Sequence, residues 1–203
     1  MEAPMTTAGR GRSTTSDTNR IRTLAVMAIT ATIIVAVAFI VNQPSTAAGG
    51  VTSVTLSGTA SGQAPTVGLP APDFAATTVD GRAVRLSDFK GHPVWLTFGA
   101  SWCQPCRAEN PDISAVYERS KASGLVVLAI FISEDASAVR DYADRVGLTY
   151  DKVADPDTKI ASQYRILGIP SHFFIDSAGV LLQMKIGSLD QAGMELAIQG
   201  LSQ

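Results

Sequence analysis

Cysteine is nearly absent, with only Cys103 and Cys106 in 203 residues. A disulfide-stapled secreted scaffold is therefore excluded, because no further thiol remains to close a long loop. Any thiol chemistry is confined to one four-residue motif. Charge is scarce too: 17% of residues are charged, against about a quarter in an ordinary soluble domain. The deficit is local, since no Asp, Glu, Lys or Arg occurs from Thr23 to Pro72. An excess of either sign is also missing, with 16 basic against 18 acidic residues. That excludes a nucleic-acid binder built on net basic charge. With 46% hydrophobic residues the chain is not wholly disordered, and no internal repeat interrupts the reading.

The uncharged stretch holds two segments. Leu24 to Val41 contains only threonine as a polar residue. At ~1.5 Å per residue it would span about 27 Å as a helix, close to the bilayer core. A core helix seldom is apolar on every face, so the run predicts a membrane anchor. A cleaved signal peptide, with small residues at Ser45 to Ala48 for processing, is the competing reading. Arg10, Arg12, Arg20 and Arg22 precede the run, and the next basic residue is Arg82. The positive-inside bias then puts residues 1–23 in the cytoplasm as a tail and residues 24–41 in the lipid as a transmembrane helix. Residues 42–70, rich in Gly, Ser, Thr, Ala and Pro, read as a flexible linker. A folded domain, residues 71–203, follows outside the membrane.

That domain begins with Asp80-Gly81, a turn signal between two short strand-like runs. Val94 to Phe98 forms an apolar strand, and a helix from near Cys103 toward Lys121 follows, with Pro105 in its first turn. After Gly124 the run LVVLAIFI suits a central strand buried on both faces. A helix over 136–146, a strand near 150–153 and a brief helix over 158–164 come next. Segments 171–176 and 180–186 flank Ser177-Ala178-Gly179 as a hairpin, and Asp190 can cap a last helix. This order predicts an α/β fold with a mixed sheet.

Trp102-Cys103-Gln104-Pro105-Cys106 places two thiols where a strand gives way to a helix. The unpaired N–H groups and macrodipole of a helix N-terminus stabilise a thiolate at Cys103, lowering its pKa below the free value of about 8.5. Cys106, one turn further in, is placed to resolve a mixed disulfide on Cys103, which makes the pair a redox-active disulfide. Zinc is disfavoured, because neither a second cysteine pair nor ligand spacing from His92 and His172 is present. Trp102 is read as a core aromatic or as a wall of the reactive surface. His172 is read as a half-exposed strand residue that could alternatively tune Cys103.

From about Ala71 onward the chain resembles the TlpA/ResA-like thiol-disulfide oxidoreductases of the thioredoxin superfamily, which also fall in redoxin and AhpC/TSA groupings. The resemblance rests on Ala71-Pro72-Asp73-Phe74, Leu86-Ser87-Asp88-Phe89-Lys90-Gly91, the WCQPC motif and Gly168-Ile169-Pro170-Ser171 before FFID. It implies a thioredoxin-like three-layer sandwich, a cis Ile169-Pro170 bond facing the dithiol, and no cofactor or metal. It further implies Cys103, Cys106 and Glu109 as catalytic residues, with Glu109 exchanging protons with the dithiol. Trp102, Pro105, Ile169 and Pro170 would form the substrate-binding surface. One departure from thioredoxin is Thr97, six residues before Cys103, where thioredoxin has a buried aspartate.

The expected activity is an extracytoplasmic protein-disulfide oxidoreductase that reduces client disulfides, with apocytochrome c the leading client. The resemblance implies a membrane thiol donor of the CcdA or DsbD kind to supply electrons. Gln104-Pro105 is neutral, without the histidine that stabilises the reduced form of strong oxidants. A disulfide-forming oxidase, a thiol peroxidase and a non-enzymatic peptide-binding module are the alternatives. The peroxidase reading is weakened because Cys103 stands where peroxiredoxins resemble Thr-x-x-Cys.

Overall fold

A computed structural model describes residue 24 and residues 26–36, 55–56 and 64–202. Two units are distinguished, Met1–Ala47 and Ala48–Gln203. In the first, residue 24 and residues 26–36 are helical and exposed. The threonines in this apolar run fold back onto the helix: the Thr30 hydroxyl donates to the Val26 and Met27 carbonyls and that of Thr32 to Ala28. Their polarity is thereby satisfied locally. No helix among the described residues is long and apolar enough to cross a membrane. The span expected over 24–41 lies partly outside the described residues, as do the expected tail and most of the linker.

The second unit contains a thioredoxin-like α/β fold. Its central sheet has five strands, in the order β6 (Asp151–Asp155), β5 (Val126–Ile132), β4 (Val94–Gly99), β7 (Ser171–Ile175), β8 (Leu181–Ile186). Strands β4, β5 and β6 run parallel, whereas β7 pairs antiparallel with β4 and β8 antiparallel with β7. The sheet is therefore mixed. A second sheet is formed by β1 (Thr55–Leu56), β2 (Phe74–Thr77) and β3 (Ala83–Arg85). Gly81 supplies the positive φ of 87° needed in the turn between β2 and β3.

Side chains alternate faces along each strand, and both faces here are covered. Trp95, Val127, Ala129, Phe131 and Phe174 meet α1 (Gln104–Ser120), α2 (Ala136–Val146) and α4 (Gln191–Gln199) through Ile113, Val116, Val139, Tyr142 and Met194. Leu96, Phe98, Leu128, Ile130 and Phe173 face the other way, onto Phe74, Val84, Leu86 and the short α3 (Lys159–Gln163) with Ile160. This two-sided burial explains why LVVLAIFI is continuously apolar rather than alternating.

Helix ends follow local chemistry. Asp135 accepts the Ala138 N–H and Asp190 the Gly193 N–H, each at 2.8 Å, which satisfies orphan donors. Gly147, at φ 71°, closes α2. Boundaries differ from expectation in two places. The brief helix starts at Lys159, because Thr158 has a left-handed backbone. The strand expected near 150–153 runs from Asp151 to Asp155. Strand pairing also extends N-terminal to Ala71: Thr55 pairs with Ala75, and Gly68 N–H donates to Leu181 O at 2.8 Å.

Candidate active site

Strand β4 ends at Gly99 and α1 begins at Gln104, so the turn between them opens at the C-terminal edge of the parallel strands. Cys103 is the N-cap of α1, and its sulfur accepts the Cys106 N–H at 3.3 Å. Pro105 lies in the first turn, where the missing N–H costs nothing. Cys103 and Cys106 form a disulfide with a Cα–Cα distance of 5.3 Å. Cys103 is 6% exposed and Cys106 2%, so attack from solvent is directed to Cys103. Gly99 lies against Cys106: a Cβ there would sit in van der Waals contact with the Cys106 Cβ at 3.4 Å.

The expected substrate-side residues surround this bond. Ile169 packs against Cys103 and Cys106, and its carbonyl oxygen is 4.0 Å from Cys103 Sγ. The Ile169-Pro170 bond is cis. Pro170 is buried, and its carbonyl accepts the Gly187 N–H at 2.8 Å. Trp102 is 60% exposed, which identifies it as surface beside the disulfide rather than core. Pro105, in the first turn of α1, is also exposed.

Glu109 is buried at 4% exposure, one turn beyond Cys106. It lines a cavity of about 10 Å³ together with Thr97, Gly99, Ala100, Cys106, Asn110, Ala129 and Phe131. That volume is at the lower limit for one water. Its Oε2 accepts the Leu189 N–H at 3.2 Å, and its Oε1 is 3.4 Å from His172 Nε2. No ion pair joins it to the neighbouring, exposed Arg107. The expectation of a half-exposed His172 is corrected: it is wholly buried. The alternation of β7 directs it to the same face as Trp95 and Phe174, beneath α1.

Two features escape sequence reasoning. Glu134, after β5, is 8% exposed and accepts the Ser101 N–H at 2.7 Å and the Ser101 hydroxyl. Ser133, at φ 57°, turns the chain just before it. Glu134 thereby clamps the turn that presents Trp102 and Cys103. The available signal was an acid just past a parallel strand, on the edge where the cysteine motif also lies. The second is Asn110, whose side-chain amide donates to Tyr142 Oη at 2.9 Å and whose oxygen accepts from Tyr150 Oη at 3.0 Å. Burial first, then Tyr142 and Glu109, push the Tyr150 phenol well above its ordinary pKa, so it remains a donor.

The sequence profile of the AhpC/TSA family matches residues 67–184, more than half of the chain. The chain belongs to the AhpC/TSA family. Within it, this thiol-disulfide oxidoreductase is 33% identical over 135 residues to the thiol-disulfide oxidoreductase ResA of Geobacillus kaustophilus (strain HTA426), covering 66% of this chain and 78% of that protein. Among solved structures, a candidate thiol:disulfide interchange protein DsbE from Chlorobium tepidum matches with TM-score 0.64 and 30% identity, over 68% of this chain and 99% of that one. The exposed lipoprotein thioredoxin of Streptococcus pneumoniae strain TIGR4 matches with TM-score 0.55 and 30% identity, over 64% and 99%. The redox centre of such an oxidoreductase is its cysteine pair. Among the described residues no group of three or more metal-ligating side chains occurs.

Proposed function

We propose that this oxidoreductase is anchored in the cell membrane by residues 24–41, with residues 1–23 cytoplasmic and the thioredoxin-like domain outside. There it reduces disulfides in client proteins. The observation that carries the reading is the disulfide at the N-terminus of α1, with Cys103 more exposed than Cys106 and the Ile169 carbonyl beside it. In the reduced enzyme, Cys103 thiolate attacks a client disulfide and forms a mixed disulfide. Cys106 then attacks Cys103 Sγ, releasing the reduced client and restoring the intramolecular bond. Trp102, Pro105, Ile169 and Pro170 receive an extended client segment, the Ile169 backbone offering it hydrogen bonds. Glu109 supplies and removes the proton that Cys106 needs.

Apocytochrome c is the leading client of this reading, with a membrane dithiol of the CcdA or DsbD kind returning electrons across the bilayer. The uncharged anchor with arginines on one flank supports the location, and the Streptococcus pneumoniae relative is described as an exposed lipoprotein. The disulfide occupies the position where a peroxide site resembles Thr-x-x-Cys, which favours dithiol exchange over peroxide reduction. Direction is tested by equilibrating the full-length protein with glutathione buffers. A reduction potential near or below about −200 mV supports a reductant, and one near −120 mV overturns it in favour of an oxidase.

A further inference from the structure

Beneath the disulfide, buried side chains from three elements converge. His172 of β7 lies between Trp95 of β4 and Glu109 of α1, and both His172 and Trp95 are 0% exposed. The Trp95 indole N–H donates to His172 Nδ1 at 3.3 Å. An indole nitrogen is only a donor, so Nδ1 must hold a lone pair and the neutral ring carries its proton on Nε2. That Nε2 lies 3.4 Å from Glu109 Oε1, close enough for attraction, yet forms no hydrogen bond. The ring N–H and Oε1 are within reach but not aligned, and a buried donor left unpartnered is costly; a small turn of the carboxyl during the catalytic cycle would supply the partner.

We propose that His172 is a positioning residue for Glu109: held by Trp95 as the Nε2–H tautomer, it orients the carboxyl toward Cys106 and stabilises the carboxylate left after proton transfer. This rests on Glu109 handling the Cys106 proton. When an incoming thiolate of the donor dithiol attacks Cys103 Sγ, a new S–S bond forms there and the Cys103–Cys106 bond breaks. Its electron pair departs on Cys106 Sγ, which takes the proton of the Glu109 carboxyl. The resulting carboxylate meets two donors, the Leu189 N–H on Oε2 and the His172 Nε2–H on Oε1. In the client-reducing direction the proton returns from Cys106 to Glu109. His172 itself neither gives nor takes a proton in this step, since its Nδ1 is occupied as the acceptor of the Trp95 N–H.

Other titratable groups near the pair are few. Cys106 shares the α1 face with Glu109. Tyr142 of α2 and Tyr150 before β6 are joined to that face through Asn110. On β8, Lys185 stands opposite His172 in the register and is exposed. Asp190, next to Leu189, is committed to capping α4.

The test combines a spectroscopic and a kinetic arm on the full-length protein. Nitrogen-15 NMR of His172 should show the Nε2–H tautomer in oxidised and reduced protein from pH 5 to 8; an Nδ1–H tautomer or an imidazolium overturns the proposal. Reduction of the disulfide by dithiothreitol, followed by tryptophan fluorescence, should be about tenfold slower in His172→Leu, with an altered pH profile. His172→Gln, which keeps an N–H donor, should recover most of the rate. The double variant His172→Leu/Glu109→Gln should be no slower than Glu109→Gln. Additive losses in the double variant, or an unchanged rate in His172→Leu while Glu109→Gln is slow, overturn the role of His172 alone. An unchanged rate in Glu109→Gln overturns the underlying role of Glu109.

Discussion

At the residue scale, the two cysteines differ by their place on one helix turn. Cys103, as N-cap, receives the Cys106 N–H and keeps 6% of its surface exposed, whereas Cys106, at 2%, lies against Gly99. Nucleophile and resolver are thus separated by access rather than by residue type. Cys106→Ser should therefore accumulate mixed disulfides through Cys103 with client proteins, visible as species that collapse on reduction in a non-reducing gel. If Cys106→Ser stays unmodified while Cys103→Ser is trapped, the assignment is reversed. Glu109 shows why a residue type alone is a poor guide. A glutamate beside Arg107 on a helix reads equally as a solvated surface charge, and its chemistry depends on burial between Cys106 and His172.

At the element scale, loops at the C-terminal edge of the parallel strands hold the reactive turn. Glu134 → Ala removes both bonds to Ser101 and leaves the Ser101 N–H without its partner. We expect a loss of about 1–3 kcal/mol in urea unfolding and weakened client exchange. Unchanged stability would show that the clamp holds nothing. Asp155, at the end of β6, accepts the N–H groups of Lys159 and Ala161 and so anchors the start of α3. Burial raises its carboxyl above the ordinary value of 3.8, and the N–H groups of Ala161, Ile160 and Lys159 oppose this only in part. The folded protein then holds this proton more tightly than the unfolded chain. The contribution to stability is greatest below 3.8 and is lost as pH rises through the raised folded value. Relative to Asp155→Asn, wild-type stability should fall as pH rises across that window. A difference that grows with pH would contradict the direction of the shift.

At the scale of the whole molecule, the apolar run over 24–41 and the thioredoxin-like fold fall in different units, Met1–Ala47 and Ala48–Gln203. The thioredoxin-like unit buries its sheet on both faces with residues from Phe74 to Leu201, and among the described residues the disulfide packs against Ala100, Ile132 and Ile169. Deleting residues 1–63 should leave dithiothreitol reduction kinetics within twofold of the full chain. The same deletion should move the protein from the membrane fraction to the soluble fraction. Recovery of the full chain in the soluble fraction would remove the proposed anchor. Starting the deletion product at Ala64 matters, because Gly68 and Leu69 bond to Leu181 and so belong to the folded unit.

What the sequence determined by itself is what local physics controls. Alternation and apolar runs marked β4, β5 and the hairpin of β7 and β8. Asp190 marked the start of the last helix, and the cysteine motif marked its own helix N-terminus, because these signals act within a few residues. Only the tertiary structure decided what lies under the disulfide. Ser101 meets Glu134 across 33 residues and Trp95 meets His172 across 77. Whether His172 faces solvent or a glutamate depends on which sheet face α1 covers, and that is set by the order of β4 and β7 in the sheet. The end of the stretch read as a linker follows the same logic: Gly68 and Leu69 bond through their backbones to Leu181 of β8, a partner in place only once the sheet has formed.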